Sequence, residues 1–205
     1  MLRSIKQLYG DQLVASGANI GHVKDLYFDD QQWVVRYVMV DTGPWLAERQ
    51  VLIPPHAFRN FHEYGDLLLV NLTKSQIESG PSIDSHKPVS RQYEEEYYDY
   101  YGWPPYWQGD GLWGGSSFPV APPPIETERQ ALGQPTSVGD PHLRSARALS
   151  GYHIQTDEGE IGHVTDFLID STSLAIRCLV VETGHWYWGK EIVILNVSKS
   201  GGEKS

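Results

Sequence analysis

The chain has 205 residues, 40% hydrophobic and 20% charged, with 20 glycines and 13 prolines, a composition that suits one or two small domains with loop-rich stretches and excludes a fibrous or wholly disordered chain. A net charge of −10 argues against a surface built to neutralise nucleic-acid phosphates or an anionic membrane. The single cysteine, Cys178, excludes an intrachain disulfide framework and fits a reducing compartment, and the longest apolar runs fall far short of the roughly 18 residues that span a bilayer, so a cytoplasmic location is expected.

Along the chain, Ile20-Gly21-His22-Val23-Lys24-Asp25 leads into an Asp29-Asp30-Gln31-Gln32 turn and then into Trp33 to Val40, a β-branched and aromatic run that reads as a strand. Arg36 sits inside that run, as expected where one face of a strand is wet. Thr42-Gly43 closes it, and Gln50 to Ile53 and Asp66 to Leu72 read as further strands. Thr73 to Glu78 then reads as a helical turn with Thr73 as its N-cap.

From about Pro81 to Pro141 the composition changes. Residues 91–107 hold six of the twelve tyrosines and two of the seven tryptophans. Tyr93, Tyr97 and Tyr100 or Tyr101 fall at helical spacing, which predicts a short acidic helix ending at Gly102. Beyond it, Gly109 to Gly115 and Pro119 to Pro124 read as open linker or polyproline II. The aromatic segment is either a tether that buries its rings on a neighbouring module, with its carboxylates in water, or a recognition element for a partner. Glu94, Glu95, Glu96 and Asp99 among the rings disfavour a nucleic acid.

The beginning then recurs at a constant offset of 141 residues. Ile161-Gly162-His163-Val164-Thr165-Asp166 repeats the first motif, Leu143-Arg144-Ser145 repeats Leu2-Arg3-Ser4, and Arg177, Val181, Thr183-Gly184, Trp186 and Ile194 repeat Arg36, Val40, Thr42-Gly43, Trp45 and Ile53. One register held over some fifty residues, glycines and tryptophans included, makes this an internal repeat. The expected organisation is a first module at 1–80, a linker at 81–141, a shortened second module at 142–199 and a tail at 200–205. The expected fold is mainly β: two small antiparallel barrels joined by an aromatic, Pro/Gly-rich segment. A barrel short of a strand exposes an unpaired edge, which invites a homodimer or intimate packing of the two modules.

Chemistry is sparse. His22 and His163 occupy equivalent positions, each with an aspartate three residues on, but on a regular strand His22 and Asp25 point to opposite faces and do not converge. No Walker loop, nucleophile elbow or dinucleotide fingerprint is present, and Cys178 lies mid-strand among Ile176, Leu179 and Val180 as a core thiol would. No catalytic residue, cofactor or metal ligand is assigned, and the chain is expected not to be an enzyme. The candidate partner-binding residues are Trp45, Trp186, Tyr187, Trp188, Tyr97, Tyr101, Trp103 and Trp107, large aromatics of the kind that anchor interfaces.

The order Ile-Gly-x-Val-x-Asp, strand, Thr-Gly, Val51-Leu52-Ile53-Pro54-Pro55 and Val70-Asn71-Leu72-Thr73 resembles the PRC-barrel superfamily over about residues 2–80, with 143–194 as a second, shortened copy. Tyr100-Tyr101-Gly102-Trp103-Pro104-Pro105-Tyr106-Trp107 resembles the segment between repeats in bacterial proteins with two such barrels. The superfamily includes the cytoplasmic domain of the photosynthetic reaction-centre H subunit and the C-terminal domain of a ribosome-maturation factor. The resemblance implies a non-catalytic barrel for protein–protein assembly, its partner a protein and its pathway open. A role in RNA or ribosome processing, or as an accessory of reaction-centre or light-harvesting assembly, is the alternative it carries. No membrane insertion is expected.

Overall fold

The computed structural model describes residues 1–47, 49–59, 61, 67–81, 89, 91–120, 143–157, 159–183 and 191–195. The first copy supplies strands β1 (Leu2–Ser4), β2 (Gln12–Ala15), β3 (Ala18–Asp29), β4 (Val34–Asp41), β5 (Gln50–Ile53) and β6 (Leu67–Val70). The second supplies β7 (Leu143–Ser145), β8 (His153–Thr156), β9 (Gly159–Asp170), β10 (Ile176–Thr183) and β11 (Glu191–Leu195).

The first sheet runs β5-β4-β3-β2-β6, antiparallel except for β6, which lies parallel to β2. It curls until β6 meets the chain leaving β5, where the Arg59 N–H donates to Leu69 O (2.9 Å) and the Asn71 N–H to Ala57 O (2.7 Å). The second sheet runs β8-β9-β10-β11 in the same antiparallel order.

Each copy gives its first strand to the other. β1 pairs with β9 (Leu2 opposite Asp170, Ser4 opposite Leu168), and β7 pairs with β3 (Leu143 opposite Asp29, Ser145 opposite Tyr27). The two registers are equivalent under the 141-residue offset, so the exchange is a property of the repeat. The sheets also meet where Val34 bridges Ala175, with the Val35 N–H on Leu174 O (3.0 Å) and the Ile176 N–H on Trp33 O (2.7 Å). Phe28 and Phe167 pack across this junction, 5.6 Å between ring centres. One hydrophobic core therefore runs through both copies.

The fourth strand begins at Val34 and the tenth at Ile176, just after the predicted starts Trp33 and Leu174. Both predicted starts adopt left-handed backbone (φ +56° and +59°), because each closes a tight turn by donating its N–H to Asp29 O or Asp170 O (2.7 and 2.8 Å). Helix α1 (Lys74–Ser79) has the expected Thr73 cap, extended to a capping box by Gln76. Helix α2 (Arg91–Tyr101) ends at left-handed Gly102 (φ +67°), where the Trp103 N–H returns to Tyr98 O (3.0 Å). A short helix, α3 (Ala146–Leu149), follows β7. Among the described residues no helix is long and apolar enough to cross a membrane.

Two expectations are corrected. Arg36 does not face water: its side chain is 0% exposed, because the segment after α2 lies over that face of β4, whereas its equivalent Arg177 is exposed. Residues 109–115 are not open linker. The Gly111 N–H bonds Gly114 O (2.7 Å), and Trp113 is buried with its Nε1 donating to Ser173 O (2.8 Å), since a tryptophan buries too much apolar area to be left in solvent when a groove between sheets is at hand.

Candidate functional site

Three places gather side chains that the sequence singled out. The first is the pair of joints where the strands are exchanged. Asp25 in β3 accepts hydrogen bonds from the Ser145 hydroxyl, from the Arg147 N–H (3.1 Å) and from the Leu26 N–H (2.7 Å). Asp166 in β9 does the same with the Ser4 hydroxyl, the Lys6 N–H (3.1 Å) and the Phe167 N–H (2.8 Å). Burial pushes the Asp25 carboxyl up, opposed by the bonds from Ser145 and Arg147. His22, three residues earlier, is exposed while Asp25 is buried, so the two diverge and the aspartate serves the joint. The signal for this was in the repeat, which doubles Ser4 and Asp25 together as Ser145 and Asp166.

The second place is an open cleft of about 440 Å³ at one end of the first sheet, lined by Gln12, His22, Thr42, Pro44 and Trp45 among others. Trp45 is half-buried. Its Nε1 donates to Ile20 O (2.8 Å), and the Lys74 ammonium lies 4.3 Å from the ring centre. In the second copy, the equivalent positions of Gln12, Asn19, His22 and Asp41 carry His153, Glu160, His163 and Glu182. There His153 Nδ1 lies 2.5 Å from Glu160 and His163 Nε2 3.5 Å from Glu182, in exposed pairs. Trp186, Tyr187 and Trp188, the counterparts of the Trp45 region, lie outside the described residues.

The third is the aromatic segment. Tyr97 is an interior residue, 2% exposed, with its hydroxyl donating to Leu52 O, so it holds α2 to the first sheet and presents nothing to a partner. Tyr101 and Trp103 stack at 4.6 Å and 11°, half-buried, and Trp107 meets Tyr98 edge-on at 5.2 Å with part of its ring outward. Burial raises the Tyr101 hydroxyl to about 12. Beneath them lies a charged centre that the sequence did not reveal. Glu94 is buried and accepts from the Tyr37 and Tyr106 hydroxyls (3.0 and 2.8 Å), although the carboxylates of this segment were expected in water. Arg36 lies 3.8 Å from the Tyr106 ring centre and 4.8 Å from that of Trp113, donates to Leu112 O and Gln32 Oε1, and pairs with Asp29 at 3.5 Å. His56 stands beside this group against Trp113 (5.1 Å) and Tyr98 (6.1 Å), with its Nδ1 buried and, among the described residues, without a hydrogen-bond partner.

The curled first sheet, with β6 parallel to β2 and Gly21 and Thr42-Gly43 at one end, is now fixed. Residues 2–77 match the PRC-barrel domain family. A comparison with curated proteins finds no match. The PRC-barrel match begins with β1, yet in this molecule β1 belongs to the other sheet and β7 takes its place. The domain is thus completed by residues 143–149 of the second copy. The Arg36–Glu94–His56 centre lies between the PRC-barrel domain and the segment after it and joins the two.

Burial lowers the His56 pKa from its ordinary 6.5 to about 4, with Arg36 adding to the shift and Glu94 facing the same centre. The unfolded chain then binds the extra proton between those values, so stability is full above pH 6.5 and falls as the pH drops toward 4. The expected loss from this group is about 2 kcal/mol between pH 7 and 5. Urea midpoints across that range check it, the slope flattening by that amount in His56→Phe.

Proposed function

We propose that this chain is a non-catalytic assembly module that binds a protein partner. The observation that supports it is an asymmetry between the copies. Val51 and Leu52 of β5 are 5% and 1% exposed, while their equivalents Ile192 and Val193 of β11 are 37% and 55% exposed. Neighbouring Leu179 and Ile154 are only partly buried, where Val38 and Leu13 of the first copy are fully so. A sheet of the same design thus leaves aliphatic side chains to water, which is how a site for another protein reads in a folded chain. The family resemblance points the same way, toward assembly. Trp45, Trp103 and Trp107 are half-buried rings of the type that anchor such contacts.

A photocrosslinking residue at Val193, in the full chain in its native cells, is expected to give a discrete protein adduct, and the same residue at exposed Phe118 none. Adducts at neither position overturn the reading. The excess of acidic residues disfavours the RNA alternative. Salt-sensitive retention of RNA by the purified chain would revive it.

A further inference from the structure

The two copies differ most at one edge. In the first, β2 is flanked on both sides: antiparallel β3 on one, and on the other β6, which runs parallel with Gln12 opposite Leu67, Leu13 opposite Leu68, Val14 opposite Leu69 and Ala15 opposite Val70. Leu68 and Val70 point inward, 1% and 4% exposed, over Leu13 and Ala15. In the second copy β8 has the same antiparallel neighbour, β9, and among the described residues nothing on its other side. The Val164 N–H donates to Tyr152 O (2.9 Å), and with the alternation of a strand this turns the backbone groups of His153 and Gln155 to the open edge. β8, His-Ile-Gln-Thr, carries neither the lysine nor the proline by which sheet edges are commonly blunted. The aliphatic side chains of Ile192 and Val193 that stay exposed belong to the same half-closed sheet.

We infer that the β8 edge receives an extended aliphatic strand from a partner protein, laid parallel to β8 in the place that β6 fills within the first copy. The inference rests on the assembly reading and names its site and mode. The first copy serves as the template for the guest. It specifies a stretch of about four residues with Leu or Val at every second position, the inward ones seated beside Ile154, and main-chain hydrogen bonds to His153 and Gln155. The ten residues that follow β11 in the sequence, 196–205, contain a single aliphatic side chain, Val197, and do not carry this pattern.

The probe is a synthetic peptide with the sequence of residues 67–75, Leu-Leu-Leu-Val-Asn-Leu-Thr-Lys-Ser, with a scrambled peptide as control, added to the full chain. Saturable binding of the labelled peptide is expected, with at least tenfold slower hydrogen exchange at the His153 and Gln155 amides. Gln155→Pro, which removes one edge donor at a position where an edge strand tolerates proline, is expected to weaken binding tenfold or more while leaving the melting temperature within a few degrees. The wild-type exchange measurement stands even if that variant fails to fold. Binding without protection of the two amides, or no binding, overturns the inference. Protection that appears with protein concentration alone makes the occupant a second copy, and protection in dilute chain without peptide makes it another segment of the same chain; either also overturns it. Adducts from position 193 that survive Gln155→Pro leave the assembly reading in place and remove only the strand-donation mode.

Discussion

Arg36→Ala is expected to destabilise the chain by about 4 kcal/mol, because it leaves Asp29 without its buried cation and opens a void beneath Tyr106 and Trp113. For a chain of this length that corresponds to a fall of about 10 °C in melting temperature. Arg177→Ala, the same substitution at the equivalent position of the second copy, is expected to change stability by no more than about 0.5 kcal/mol, since that side chain is exposed. Thermal melts of the two variants side by side check the contrast. Equal effects would mean that the segment after α2 does not close over β4 in solution.

Gly21→Ala is expected to cost about as much as Arg36→Ala, and Gly162→Ala likewise. Both glycines have positive φ, +142° and +154°, which only glycine adopts without strain. A Cβ at Gly21 would collide with the carbonyl oxygen of Asp41, and one at Gly162 with that of Glu182, backbone atoms of the neighbouring strand that cannot swing aside. Since one core runs through both copies, each substitution is expected to lower a single cooperative melting transition and not to melt one half alone. Two separated transitions in Gly162→Ala would contradict the shared core.

The exchange of first strands ties the two sheets to each other. Each sheet is finished by the other copy's first strand, and each joint is fastened by an aspartate, a serine and a backbone N–H. The second sheet is therefore held in place by the first, while among the described residues β8 pairs with β9 alone and Ile192 and Val193 of β11 stay exposed; under the proposed function, a partner that completes this sheet would gain a rigid platform instead of one it must fold.

Much of this was legible in the residues. The 141-residue offset, the turn chemistry around Asp29 and Asp170, the Thr73 cap and the stop at Gly102 are local or periodic signals, and they carry the strands that follow those two turns, helices α1 and α2 and the likeness of residues 2–77 to the PRC-barrel domain. The opposed directions of His22 and Asp25 also followed, from strand parity alone. What the sequence could not give is which chain segment covers which face. Arg36 and Arg177 sit at one repeated position, yet one is buried under Tyr106 and Trp113 and the other is wet; Glu94 looks in the sequence like its neighbours Glu95 and Glu96 until Tyr37, 57 residues away in the chain, is brought to it. The strand exchange is of the same kind, since β1 has equivalent partners in either copy and local propensity cannot choose between them. These features depend on contacts between residues far apart in the chain, and only the tertiary structure decides those.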